Sequence, residues 1–111
     1  MKPCDDYAAV ETPAGLAWLP VCDGTDTACA LRREARNAAV LALQVSLNQC
    51  YGQDLAEDGY FGPVTERALK RVQAIIGTTQ DGWYGPFTRD AMLHAGTWSD
   101  ERLRYDGPGG A

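Results

Sequence analysis

The eight residues Asp58-Gly59-Tyr60-Phe61-Gly62-Pro63-Val64-Thr65 return 23 positions later as Asp81-Gly82-Trp83-Tyr84-Gly85-Pro86-Phe87-Thr88. Five of the eight positions are identical, and two more are aromatic in both copies. The parts of this unit have a physical logic. Asp accepts hydrogen bonds from backbone N–H groups one or two residues on and so makes an Asx turn. Gly beside it supplies a backbone geometry closed to other residues. The aromatic pair places one ring in the core and one nearer the surface. Gly-Pro opens a helix, because proline's missing N–H has no partner at the first helical position anyway. Thr in the first turn can bond N–H groups left free there. One copy is a common turn-to-helix entry; two at a fixed offset are not chance.

Helical periodicity surrounds the units. From Ala38 to Cys50, Val40, Leu43, Leu47 and Cys50 recur at spacings of three and four, with Leu41 and Val45 widening the stripe. Asn37 is the expected N-cap, and Tyr51-Gly52 fits the helix end. A second helix is expected from Pro63, with Ala68, Leu69, Val72, Ile75 and Ile76 on one face and Gly77 as its stop. Glu66, Arg67, Lys70 and Arg71 lie on its solvated side, with Glu66 and Lys70 as an i,i+4 pair. A third helix is expected from Pro86 through Phe87, Ala91, Met92 and Ala95 to Gly96. His94 falls in its last turn, where a histidine interacts well with the helix C-terminus.

The flanks read differently. Residues 1–28 carry Pro3, Pro13, Pro20, Gly15 and Gly24 and look irregular, with Trp18 in a short apolar patch that covers one side of the core. Residues 97–111 end in Asp106-Gly107-Pro108-Gly109-Gly110, a tail expected to be mobile, with Ser99 able to cap a short turn through Arg102. A chain of 111 residues has room for one domain and little more. Its net charge of −5 offers no basic stripe for nucleic acid and no electrostatic hold on anionic membranes. No apolar run approaches the ~20 residues of a transmembrane helix. No signal peptide follows Met1-Lys2-Pro3-Cys4; if exported, the chain would be a mature form with an added Met1, or a piece of a longer exported chain.

Four cysteines, Cys4, Cys22, Cys29 and Cys50, point to two disulfides and an oxidising compartment. Zinc is the weaker reading: there is no Cys-x-x-Cys pair, and the single histidine is distant along the chain.

Together these residues resemble the peptidoglycan-binding-like domain, also called peptidoglycan-binding domain 1. The resemblance runs from Leu43-Gln44, Leu47-Asn48, Tyr51-Gly52 and Leu55 through the first unit. It continues with Ala68-Leu69, Val72-Gln73, Gly77, the second unit and Ala91-Met92. It covers residues 29–96 and implies an all-α fold, a compact three-helix bundle linked by the two unit loops. Residues 1–28 are then an irregular, disulfide-tied N-terminal flank, and 97–111 a C-terminal tail. It also implies a non-enzymatic, monomeric module that holds a secreted protein on the bacterial cell wall. Cys29 before the first helix and Cys50-Tyr51-Gly52 at its end are similar to secreted actinobacterial members.

One departure bears on the cysteines. Family members usually have a glycine-containing turn before the first helix, whereas this chain reads Leu31-Arg32-Arg33-Glu34-Ala35-Arg36-Asn37. If residues 29–50 were one helix, Cys29 and Cys50 would stand about 31 Å apart, beyond any disulfide. If the helix starts near Asn37, it is about 20 Å long, and residues 29–36 can fold back along it. The expected pairing is then Cys29–Cys50, leaving Cys4–Cys22.

No enzymatic constellation is legible. A zinc hydrolase needs several His, Asp or Cys ligands, and bridged cysteines could not act as nucleophiles. A glycosidase needs two carboxylates across a cleft, whereas Glu57 and Asp58 are adjacent. Asp54, Glu57 and Asp58 lack the spacing of a calcium loop and read as a solvated acidic loop. Neither a metal nor a cofactor is expected. Binding remains, with peptidoglycan, through its stem peptide or its glycan, as the ligand. Aromatic faces suit such a ligand, which nominates Tyr51, Tyr60, Trp83 and Tyr84. The second ring of each pair, Phe61 or Tyr84, also suits the core. Gln44, Arg67 and Arg71 are nominated as polar or cationic contacts to a stem-peptide carboxylate. The competing expectation is a protein-interaction module (a pro-domain, an inhibitor or an assembly component) contacting its partner through the N-terminal flank.

Overall fold

The computed structural model describes residues 1–98 and 100–105. The expected cap by Ser99 and the ending Asp106–Ala111 lie outside the described residues. In order, the elements are β1 (Asp6–Thr12), β2 (Gly15–Val21), α1 (Ala38–Tyr51), α2 (Pro63–Ile76), α3 (Pro86–Ala91), β3 (Leu93–Ala95) and β4 (Arg102–Arg104). Strands β1 and β2 form one antiparallel pair, β3 and β4 another. The fold is therefore mixed α and β, and the all-α three-helix bundle is corrected.

The first two helices lie where the periodicity puts them. The Asn37 side chain accepts from Val40 N at 3.1 Å and caps α1, which ends at Gly52 in the left-handed conformation. Helix α2 has Pro63 in its first turn and ends at Gly77. Val40, Leu43, Leu47, Ala68, Leu69 and Val72 meet Phe61, Tyr84 and Met92 in the main core.

The flanks are ordered where irregular chain is expected. In β2, Ala17, Leu19 and Val21 are buried while Leu16 and Trp18 face the other way, a period-two pattern. It is masked in sequence because Leu16-Ala17-Trp18-Leu19 reads as a continuous apolar patch bounded by Gly15 and Pro20. Pro13-Ala14 makes the turn, and the Thr12 hydroxyl donates to Gly15 O at 2.6 Å. Trp18 is thus not a core residue; it packs edge-to-face on Tyr7, with ring centroids 5.4 Å apart. Ala17 and Leu19 join Leu103 and Tyr105 in a second core.

The third helix is shorter than its pattern. It ends at Ala91, Met92 is extended, and His94 lies in β3, pairing with Leu103. The α1 side chains favour the strand: Ser46 Oγ accepts from Ala95 N at 2.9 Å, and Tyr51 Oη accepts from Leu93 N at 2.8 Å. Buried His94 is not the charged cap of a helix end. Its Nε2 donates to Arg89 O at 2.8 Å, and burial pulls its pKa down to about 4, so the ring is neutral.

The disulfide joins Cys4 to Cys29, with Cα atoms 5.0 Å apart, while Cys22 and Cys50 are free thiols. The Cys29–Cys50 and Cys4–Cys22 pairing is overturned. Residues 29–37 do start outside α1, but they do not fold back along it. Cys4 N instead donates to Ala30 O at 2.9 Å, and Ala30 N to Lys2 O at 3.0 Å, which lays the N-terminus beside Cys29.

Candidate functional site

The duplicated units are built the same way. In each, the Asp carboxylate accepts from the N–H two residues on: Asp58 from Tyr60 N at 3.0 Å, Asp81 from Trp83 N at 2.9 Å. Gly59 and Gly82 follow with φ of +74° and +72°, where a side chain is strained. A buried glutamine then holds the whole loop. Gln44 Nε2 donates to Asp58 Oδ1, Tyr60 O and Thr65 Oγ1, and its Oε1 accepts from Asp58 N and Gly59 N. Gln73 does the same one unit on, reaching Asp81 Oδ1, Trp83 O and Thr88 Oγ1 and accepting from Gly82 N. The threonines therefore face the glutamines, and their hydroxyls approach the carbonyls of Tyr60 and Trp83 at 3.5 Å, rather than capping the helices.

The segment before α1 ties the units together. Leu31 exchanges backbone hydrogen bonds with Tyr84, both at 2.8 Å. Phe61 N donates to Ala35 O at 2.9 Å, and Asn37 N to Gly59 O at 3.0 Å. The turn Arg32–Ala35, closed by Ala35 N to Arg32 O at 3.2 Å, puts Glu34 at φ +83°. A glycine suits that third turn position.

This segment carries two arginines that composition does not single out. The Arg36 guanidinium lies 4.0 Å from the Tyr60 ring centroid, and that of Arg32 lies 4.8 Å from the Trp83 ring. Both contacts are cation–π pairs on the first aromatic of a unit. Tyr60 also lies against Gly62, where an added Cβ would come within 2.7 Å of the ring. Trp83 is 47% exposed, and Val64 and Phe87, at matching unit positions, are exposed as well.

The other nominated residues are placed differently. Gln44 is 1% exposed, its amide taken up by the first unit. Tyr84, like Phe61, is fully buried, and burial pushes its phenol well above the usual range. Its hydroxyl has no hydrogen-bond partner among the described residues. Tyr51 is half-buried, with its hydroxyl on β3. Arg67 and Arg71 are exposed on α2, and Arg71 Nε donates to Gln53 Oε1 at 3.0 Å. Glu66 pairs with Arg33, at 3.7 Å.

A depression of about 420 Å³ lies along Arg32, Arg33 and Trp83, and another of about 210 Å³ lies between Tyr60, Leu55 and Pro63-Val64. Backbone N–H donation from Tyr60, then Gln44, holds the Asp58 carboxyl below its usual range, so it stays charged. Among the described residues, one group could offer metal donors within 4.8 Å of one another: Cys22, Asp23 and Asp26. Asp23 there is already salt-bridged to Lys2, and the Cys22 thiol is pushed up by burial and by the neighbouring carboxylates. The acidic loop Asp54, Glu57 and Asp58 forms no such group.

No curated protein sequence matches the chain. Among solved structures, it is similar to a peptidoglycan-binding protein from Clostridioides difficile, solved in complex with glutamine hydroxamate. The TM-score is 0.60 at 24% identity, over 76% of this chain and 54% of that one. That likeness is one of fold, and this chain spans about half the length of that protein. The family described as "Putative peptidoglycan binding domain" matches residues 36–92, which hold α1, both units, α2 and α3. That match covers half of the chain, and the chain belongs to this peptidoglycan-binding domain family.

Proposed function

We propose that the chain is a non-catalytic module that binds peptidoglycan and holds an exported bacterial protein at the cell wall. One observation carries the reading: two identically clamped units each present an aromatic ring with an arginine over it, Tyr60 with Arg36 and Trp83 with Arg32. A ring face offers stacking area to a sugar or peptide, and the guanidinium offers a cation to a stem-peptide carboxylate. Arg32, Arg33, Arg36, Arg67, Lys70 and Arg71 are six of the ten basic residues in a chain of net charge −5. Positive charge is therefore gathered on the segment before α1 and on α2, within a negative protein. Gln44 and Tyr84 are left out of this ligand surface, because one is occupied and the other has no free face.

The competing reading places a protein partner on the N-terminal flank. That flank uses Ala17, Leu19 and Val21 in the chain's own core, which leaves less apolar surface for a partner. The test is sedimentation with insoluble peptidoglycan sacculi of several chemotypes. Co-sedimentation without release of soluble muropeptides is expected. Absence of binding to every chemotype overturns the reading.

A further inference from the structure

The hairpin β1–β2, which lies outside the family match, makes a groove that none of the nominated residues touches. Tyr7 and Trp18 form one wall, Leu41, Ala42 and Val45 of α1 form the floor, and Glu57 closes the far side of a depression of about 300 Å³. A second depression of about 270 Å³ shares Leu41 and Glu57 with it and runs on to Asn37, Asp58 and Gly59. The two lie end to end, so the cleft is elongated along α1. It ends at Asn37 and Gly59, the chain neighbours of Arg36 and Tyr60, which form a backbone bridge of their own.

The lining selects a class of ligand. Neither depression is lined by lysine or arginine, and the polar groups present are carboxylates and an amide. Such a surface repels anions and accepts hydrogen bonds from hydroxyls. Glu57 is held in place by Asn48 Nδ2, which donates to it at 3.0 Å. Tyr7 is 41% exposed, and its edge-to-face contact with Trp18 steadies both rings. Flat aromatic faces beside hydrogen-bond acceptors suit the apolar face and the hydroxyl rim of a pyranose ring.

We propose that this cleft binds the glycan strand. Its uncharged sugars lie along α1 from Trp18 to Glu57, and a stem peptide branching from the strand is delivered at the far end to Arg36 and Tyr60. The proposal rests on the peptidoglycan-binding reading and divides its ligand in two: sugar in an acidic, aromatic cleft, carboxylate at an arginine.

The experiment is a heteronuclear NMR titration of the isotope-labelled full chain with a β-1,4-linked N-acetylglucosamine pentamer. A free stem tetrapeptide and a disaccharide–tetrapeptide are titrated separately. The pentamer is expected to shift the Trp18 indole N–H and the amides of Tyr7, Val45 and Glu57. The tetrapeptide should shift Arg36 and Tyr60, and the disaccharide–tetrapeptide both sets. Tyr7→Ala and Glu57→Gln, both at exposed positions, should each weaken pentamer binding about tenfold. Trp18→Ala should abolish it, with the surface variants as the test should that one not fold. Pentamer shifts confined to Tyr60 and Trp83, no pentamer shifts at all, shifts by the tetrapeptide in the Trp18 groove, or unchanged affinity in Tyr7→Ala and Glu57→Gln overturn the proposal. If sacculi still sediment the chain in those cases, only the groove assignment falls; if they do not, the wall-binding reading falls with it.

Discussion

Gln44 on α1 and Gln73 on α2 make matching contacts: each amide nitrogen meets the Asp carboxylate, the first aromatic's carbonyl and the Thr hydroxyl of the unit that follows it. The duplicated loops are thus held by duplicated helix side chains. Gln44→Leu strips the loop N–H groups of Asp58 and Gly59 and the carbonyl of Tyr60 of a buried partner. A loss of about 2–3 kcal/mol is expected for Gln44→Leu, and a similar loss for Gln73→Leu. The two glutamines share no partner, so the double variant should lose the sum. Urea denaturation checks both points; a loss under about 1 kcal/mol in either single variant contradicts the clamp.

His94 makes stability sensitive to acid. Its folded pKa is about 4, below the unfolded value of about 6.5, so between those values the unfolded chain binds more protons. Stability from this site is complete above about pH 6.5 and falls as pH drops toward 4, by roughly 3 kcal/mol. His94→Gln keeps a donor for Arg89 O and removes the titration. Its stability should lose less than wild type between pH 7 and 4; parallel profiles would refute the assignment.

The Cys4–Cys29 bridge closes a loop with a sequence separation of 25, and the chain-entropy relation gives about 3–4 kcal/mol for such a loop. Reduction should lower the thermal midpoint accordingly. In denaturant without reductant, maleimide should label two thiols, Cys22 and Cys50, and a non-reducing peptide map should link Cys4 to Cys29. A map linking Cys29 to Cys50 would overturn the pairing.

Glu34 stands at φ +83° where a turn of this kind takes glycine. Its side chain is exposed, so replacement removes strain without opening a cavity. Glu34→Gly should stabilise the fold by about 0.5–1 kcal/mol, the left-handed penalty less the entropy of a freer unfolded chain. A lowered melting temperature would show that Glu34 contributes something else.

Tyr60 and Trp83 are expected to act together on the wall. Tyr60→Ala and Trp83→Ala should each reduce retention on sacculi, and the double variant should be retained least. Arg36→Ala should weaken retention by removing the cation above Tyr60, a contact worth about 0.5–1 kcal/mol at an exposed site. Depletion assays on folded variants, checked by circular dichroism, measure this. Full retention by the double variant would move the ligand surface elsewhere.

Residue patterns announced the family core. The Asn37 cap, the Gly52 and Gly77 stops and the Asx turns at Asp58 and Asp81 are local devices, each complete within a few residues of chain. The burial of Phe61 follows from alternation inside the first unit. What stayed hidden depends on partners far along the chain. Arg36 and Arg32 became part of the candidate site because the segment before α1 crosses both loops. Gln44, nominated for a ligand, proved to be held within the first unit.

By itself the sequence determined the paired units and the two long helices, because short-range hydrogen bonding and a 3.6-residue stripe suffice to specify them. Only the tertiary structure decided the strands, the disulfide and the end of α3. Residues 6–21 become a hairpin because Ala17, Leu19 and Val21 find a core to fill, and Leu93–Ala95 leaves the helical pattern because Ser46, Tyr51 and β4 offer its backbone partners. Cys29 bonds Cys4 because the N-terminus pairs with Ala30. In each case a long-range partner satisfies backbone or side-chain groups that local preference alone would have arranged differently.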